Sequence, residues 1–169
     1  MQQTIQLYSL TYHDLKTYVL AMAFIAGNIL VPQLFHLVPQ GGVTWLPIYL
    51  FTLIGAYKYG WRVGLLTAVC SPVLNHLLFG MPMQAALPAI LLKSLLLALA
   101  AGFAAYRFRR ISIFLLTSVV LAYQLLGTLG EWMLTGSFYQ AIQDFRIGIP
   151  GMMLQIFGGY GIIHYLIRK

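Results

Sequence analysis

Carboxylates are almost missing from this chain: Asp14, Glu131 and Asp144 are the only ones in 169 residues. Charged residues of both signs amount to 8%, against about 25% in an ordinary soluble domain. So few charges would leave a water-facing surface uncovered, and the bilayer is the solvent that suits such a chain. The scarcity of acids, more than any basic patch, produces the formal charge of +7. Lysines and arginines are scattered at the ends of apolar stretches, which argues against nucleic-acid binding. Cysteine occurs once, at Cys70, so an intrachain disulfide and a multi-cysteine metal site are excluded. Cys70 reads as a packed thiol, with contact to a soft, metal-containing ligand as the other reading. The chain has no Walker A pattern, no H-E-x-x-H and no G-x-S-x-G elbow, so the chemistries built on them have no support. Three carboxylates are also too few for most two-metal sites. No catalytic residue, resident metal or cofactor is expected.

What the chain does have is hydrocarbon. Hydrophobic residues make up 60% of it, and its length allows about six helical spans of about 20 residues with short connections. The expected fold is an all-α membrane protein, a single domain over residues 1–169 with six transmembrane helices. The opening stretch 1–14 is polar and lacks a basic n-region and a small-residue cleavage site, so no cleaved signal peptide is expected. Spans are expected at about 15–37, 44–57, 61–79, 83–106, 111–134 and 147–167. Val38-Pro39-Gln40-Gly41-Gly42 is a turn, and residues 136–145 form a loop carrying Asp144. Trp45, Tyr57, Tyr59 and Trp61 read as interfacial aromatics.

Several spans carry one small or polar face. In the third, Gly64, Ala68, Ser71 and Asn75 recur at helical spacing. In the fifth the face is Thr117, Gln124, Thr128 and Glu131, and in the sixth Gly148, Gly151, Gln155 and Gly159. Asn28, Pro32 and His36 share a side of the first. Such faces suit close helix packing or the wall of a cavity. Pro72 is expected to bend the third span just before Asn75.

Orientation follows from the basic residues. With six spans, one side of the membrane holds Lys16, Lys58, Arg62, Arg107, Arg109, Arg110, Arg168 and Lys169, and the other holds Arg146. The positive-inside rule then places both termini in the cytoplasm, in the cell's cytoplasmic membrane. His36, Asn75, His76, Gln84 and Glu131 are expected near the outer face. Lys93, Gln124 and Gln155 are expected deeper, at similar depth on three helices, with Lys93 near the floor of a cavity open to the outside.

Lys93 is the most informative of these residues. It lies ten residues into the fourth expected span, roughly 15 Å below its start, and an intramembrane charge is a functional hypothesis by default. Its ammonium either meets an anionic ligand group or is internal glue, paired with Glu131 or with carbonyls. Asn75 and His76 either cap backbone groups freed by Pro72 and the Phe79-Gly80-Met81-Pro82 bend, or bind a ligand; adjacent helical residues point about 100° apart, so one of the two faces the cavity. Glu131 is a counter-ion or a ligand contact. Gln124 and Gln155 are interhelical hydrogen bonds or cavity groups, and Trp45 and Trp132 are membrane anchors or stacking surfaces. The candidate substrate-binding set is therefore Lys93, Asn75, His76, Glu131, Gln124, Gln155, His36, Gln84 and Trp45.

The stretch Ser71-Pro72, Asn75, Leu77-Leu78-Phe79-Gly80-Met81-Pro82 and Leu87-Pro88, set among six short spans, resembles the S-components of energy-coupling factor (ECF) transporters. The likeness is clearest over residues 60–102. It implies a substrate-capture subunit for a vitamin or related micronutrient. Such a subunit works with a membrane coupling subunit and two cytosolic ATPases, and reorients in the bilayer to release its substrate. In that family small residues on the first span form the coupling surface, and the nearest match here is Ala23 with Gly27. The absence of a Walker A motif agrees with ATP hydrolysis residing in partners. Two readings of other classes stand beside this one: a structural or assembly membrane protein whose polar groups hold helices together, and a small membrane enzyme.

Overall fold

The computed structural model describes residues 10–168, so the polar stretch 1–9 and Lys169 lie outside the described residues. Among these residues every regular element is helical. In chain order they are α1 (Leu15–Phe35), α2 (Gly41–Trp45), α3 (Leu50–Tyr59), α4 (Trp61–Phe79), α5 (Leu87–Phe108), α6 (Ile113–Thr135), α7 (Phe138–Ala141), α8 (Gln143–Ile147), α9 (Ile149–Met153) and α10 (Gly159–Arg168). Four of them, α1, α4, α5 and α6, are long and apolar enough to cross a membrane. The described residues are therefore all-helical, with four helices able to span a membrane.

The second and sixth expected spans are interrupted. The second breaks at Leu46, which takes a left-handed backbone conformation with φ 46°, followed by a single 3-10 turn at Pro47–Tyr49. The sixth continues from α9 through a π turn, Leu154–Gly158, into α10. The two irregular segments pack on each other. A side chain at Gly151 would run into the Trp45 carbonyl, 2.5 Å from the position of its Cβ, so glycine is what lets the two backbones approach. Residues 136–145, expected as plain loop, contain the short helices α7 and α8.

The small faces read from the sequence in the third and sixth spans are packed, while His36 of the first is exposed and Thr117 and Glu131 of the fifth are half-buried. Gly64, Ala68, Ser71 and Asn75 are all buried on α4, and Gly148, Gly151, Gln155 and Gly159 are buried along the last segment. A Cβ at Gly64 would collide with Ala56 on α3. Around these close contacts lies the apolar core, with Leu53, Ile54, Tyr57, Leu97, Leu116, Val120, Tyr123 and Ile163 fully buried. Large apolar side chains facing away from it, such as Leu30, Phe103, Phe114 and Met133, are exposed. Exposed hydrocarbon all round a bundle is what lipid requires.

One end of the bundle gathers the basic residues. The Leu10 N–H donates to the Tyr59 carbonyl at 3.3 Å, Arg62 Nη1 donates to the Leu10 carbonyl at 3.2 Å, and the Tyr57 hydroxyl donates to the Arg110 carbonyl at 2.7 Å. These bonds bring the start of α1, the α3–α4 turn and the α5–α6 turn together. Here too the Thr11 N–H and hydroxyl each donate to Asp14 Oδ2 at 2.8 Å, which holds the Asp14 carboxyl below its usual range. That contribution is present at neutral pH and fades as acid protonates Asp14. Helix α6 starts at the same end, where the Ser112 hydroxyl accepts from the Leu115 N–H at 3.1 Å. Replacing this cap, Ser112→Ala, is expected to cost about 1 kcal/mol, read as a lowered thermal midpoint in detergent with ligand binding unchanged.

Candidate functional site

At the opposite end, the α1–α3 connection, the α4–α5 bend and the segment after α6 enclose a cavity of about 410 Å³, within the size range of small-molecule sites. Its lining is mostly apolar: Pro32, Val43, Leu46, Pro47, Ile48, Met81, Pro82, Met83, Ala86, Ala89 and Ile90 contribute. The polar and ionisable lining consists of His36, Tyr49, Asn75, Lys93, Glu131, Gln143 and Asp144.

The chemical centre is an ion triad. Lys93, 3% exposed on α5, places Nζ 2.5 Å from Glu131 Oε2 on α6 and 2.8 Å from Asp144 Oδ2 on α8. Gly127 makes room for this lysine, because a Cβ there would lie 2.5 Å from Lys93 Cγ. Arg146, the closest basic residue to Asp144 in sequence, instead lays its guanidinium 4.0 Å from the Tyr139 ring centroid. Lys93 is thus the cation that both carboxylates share.

The depth of Lys93 differs from the sequence expectation. Helix α5 begins at Leu87 rather than near residue 83, because residues 83–86 form a turn in which the Met83 carbonyl accepts from the Ala86 and Leu87 N–H groups. Lys93 therefore lies roughly 9 Å along its helix, near the cavity end rather than at the middle. The Lys93 stem packs at Gly127, three residues along α6 from Gln124.

Of the nine candidates, Lys93, Glu131, Asn75 and His36 line the cavity together. Asn75 does so with its amide already engaged. Pro32 has no N–H, so the Asn28 carbonyl four residues earlier lacks its helical donor. Asn75 Nδ2 supplies one at 2.8 Å, and Asn75 Oδ1 accepts from Gln33 Nε2 at 3.3 Å. Asn75 caps a proline break, but the break is at Pro32 in α1 and not at Pro72 in its own helix. Asn28 continues the network: its Nδ2 donates to Thr52 Oγ1 at 3.0 Å and to Ser71 Oγ at 3.2 Å, and its Oδ1 accepts from the Phe51 N–H at 3.3 Å. This amide bracket ties α1, α3 and α4 together behind the cavity wall.

The other five candidates lie outside the lining. His76 Nδ1 donates to the Pro82 carbonyl at 2.7 Å and pins the bend. Gln84 is exposed. Trp45 packs its ring 5.6 Å from that of Phe35. Gln124 and Gln155 form a buried bridge through Tyr123: the Tyr123 hydroxyl donates to Gln155 Oε1 at 2.7 Å and accepts from Gln124 Nε2 at 3.1 Å. Cys70 is half-buried and free, also outside the cavity lining. On α1, Gly27 touches the Phe51 ring, 3.0 Å from the position of its Cβ, while Ala23 is exposed.

Asp144 is the residue that sequence reasoning passed over, and a signal for it existed. Of three carboxylates, Asp14 sits at the start of α1, which leaves two for the one lysine inside an apolar helix. Among the described residues no group of three or more His, Cys, Asp and Glu side chains is arranged to hold a metal ion. Comparison with family models, curated proteins and solved structures finds no significant match to this chain.

Proposed function

We propose that this chain is the substrate-capture subunit of an uptake system, binding a vitamin or related micronutrient in the cavity at its arginine-poor end. The observation that carries this reading is the cavity itself: about 410 Å³ of mostly apolar space with an ion triad and a histidine converging on it. Helix packing alone does not call for that space, since helices held only by polar glue close up around it. The two interrupted segments also run between the ends of the bundle, and counting them as crossings gives six spans. Under the positive-inside rule, the gathering of basic residues at the other end supports a cavity that faces outward and termini in the cytoplasm, in the cytoplasmic membrane. The likeness to ECF S-components supplies the rest of the proposal: a membrane coupling subunit and two cytosolic ATPases drive release inside.

A structural role is the second reading, and one observation favours it. The triad links α5, α6 and α8, so Lys93 has a stabilising task without any ligand. Extraction of small molecules from the purified protein, followed by mass spectrometry, separates the two. Capture predicts a vitamin-like compound at close to one per chain, chemically unaltered. Well-folded protein that carries none and binds none from a vitamin panel is the structural outcome, and an altered compound points to an enzyme.

A further inference from the structure

The sign of the charge in the cavity leads to a ligand class. Lys93 contributes one positive charge; Glu131 and Asp144 contribute one negative charge each, so the triad carries a net charge of −1 with all three ionised. Of the two roles open to the Lys93 ammonium, meeting an anionic ligand group or pairing with Glu131, the structure shows the pairing, with Asp144 as a second carboxylate. Each carboxylate spends one oxygen on Lys93, and among the described residues Glu131 Oε1 and Asp144 Oδ1 have no hydrogen-bond donor from the protein. Both residues line the cavity, and Asp144 is only 7% exposed. A surplus buried carboxylate charge is costly unless a cation or a proton matches it. Arg146 does not, because it lies on Tyr139.

We propose that the cavity selects an organic cation with N–H donors, a protonated amine or amidine on an apolar body, whose charge completes the triad to neutrality. The inference rests on the capture reading and narrows its substrate class. The cationic group sits against Glu131 and Asp144. The apolar body lies along Tyr49, Met81 and Ile90, which belong to the same lining.

The test uses three probes of one shape in the full-length protein in detergent: 2-naphthamidine, 2-naphthamide and 2-naphthoate, titrated calorimetrically, beside identification of whatever compound copurifies. The amidine is expected to bind at least about tenfold more tightly than either of the others, an advantage that one unmatched charge at close range readily supplies. In Glu131→Gln, Asp144 still pairs with Lys93 and the triad becomes neutral, so the amidine advantage is expected to vanish while the thermal midpoint stays near that of wild type. Equal or tighter binding of the amide or naphthoate, or a copurified neutral or anionic compound lost in Glu131→Gln, overturns the cation inference and leaves capture standing. A copurified amine or amidine lost in that variant supports it even where the naphthyl body fits poorly. Folded protein that binds no probe and carries no compound overturns both.

Discussion

Lys93→Met is expected to destabilise the protein by about 3–5 kcal/mol, the cost of leaving buried charge without its partner. The variant keeps a side chain of similar length beside Gly127, so packing changes little. What changes is that Glu131 and Asp144, each within 2.8 Å of the same ammonium in the native protein, face one another with no cation between them. The effect belongs to the triad and not to lysine as such. Removing the charges together, in Lys93→Met with Glu131→Gln and Asp144→Asn, is therefore expected to recover most of the loss. Thermal unfolding in detergent reads both. A single variant as stable as wild type would mean that the carboxylates do not depend on Lys93.

Asn75→Leu has the second largest expected effect, about 2 kcal/mol, because it strips the buried Asn28 carbonyl of its donor. The cause can be isolated. Pro32→Ala restores an N–H to α1 at the position from which a helix satisfies Asn28, so the carbonyl no longer needs Asn75. In that background the cost of Asn75→Leu is expected to fall by about 1 kcal/mol or more, a coupling that a double-mutant cycle measures directly. Strict additivity would show that Asn75 stabilises the protein by some route other than the proline break. The same cycle bears on function, since Asn75 lines the cavity with its amide committed to α1. Its substitution is expected to affect stability more than ligand chemistry.

Periodicity made much of this architecture legible. Gly64, Ala68, Ser71 and Asn75 sit on one helical face by spacing alone, and that face is buried. The bounds of α4, Trp61–Phe79, follow from Gly60 before it and Gly80 after it, both of which take positive φ. The misreadings have local causes. Leu46 breaks the second apolar segment in a left-handed conformation, yet neither Gly nor Asn marks the spot. Pro47 is the local signal, because the residue before a proline is pushed out of the right-handed helical region; what no local pattern encodes is the close packing of this break on Gly151, about a hundred residues away. Gln84, Ala85 and Ala86 are good helix formers, yet they lie in a turn and α5 begins only at Leu87.

The candidate site was legible in part for the same reason. Lys93 and Glu131 announced themselves as charges in apolar helices. Asp144 did not, because a carboxylate in a stretch read as loop is ordinary, and only the fold of α7 and α8 brings it under Lys93. His76, Trp45, Gln124 and Gln155 are polar or aromatic residues of the right region that other partners claim, and Gln84 is exposed. Sequence shows which helix a side chain belongs to far better than which partner it meets.

The central claim is that the cavity holds a ligand, and Ala86→Trp tests it most directly. Ala86 lines the cavity and takes no part in the ion pairs of the triad or the hydrogen bonds of the amide bracket, so an indole there is expected to fill the space and spare what holds the helices together. Native mass spectrometry of the wild-type protein, released from its membrane, is predicted to show an added small-molecule mass that Ala86→Trp lacks at an unchanged thermal midpoint. The same added mass in both proteins, or none in either, would contradict the claim.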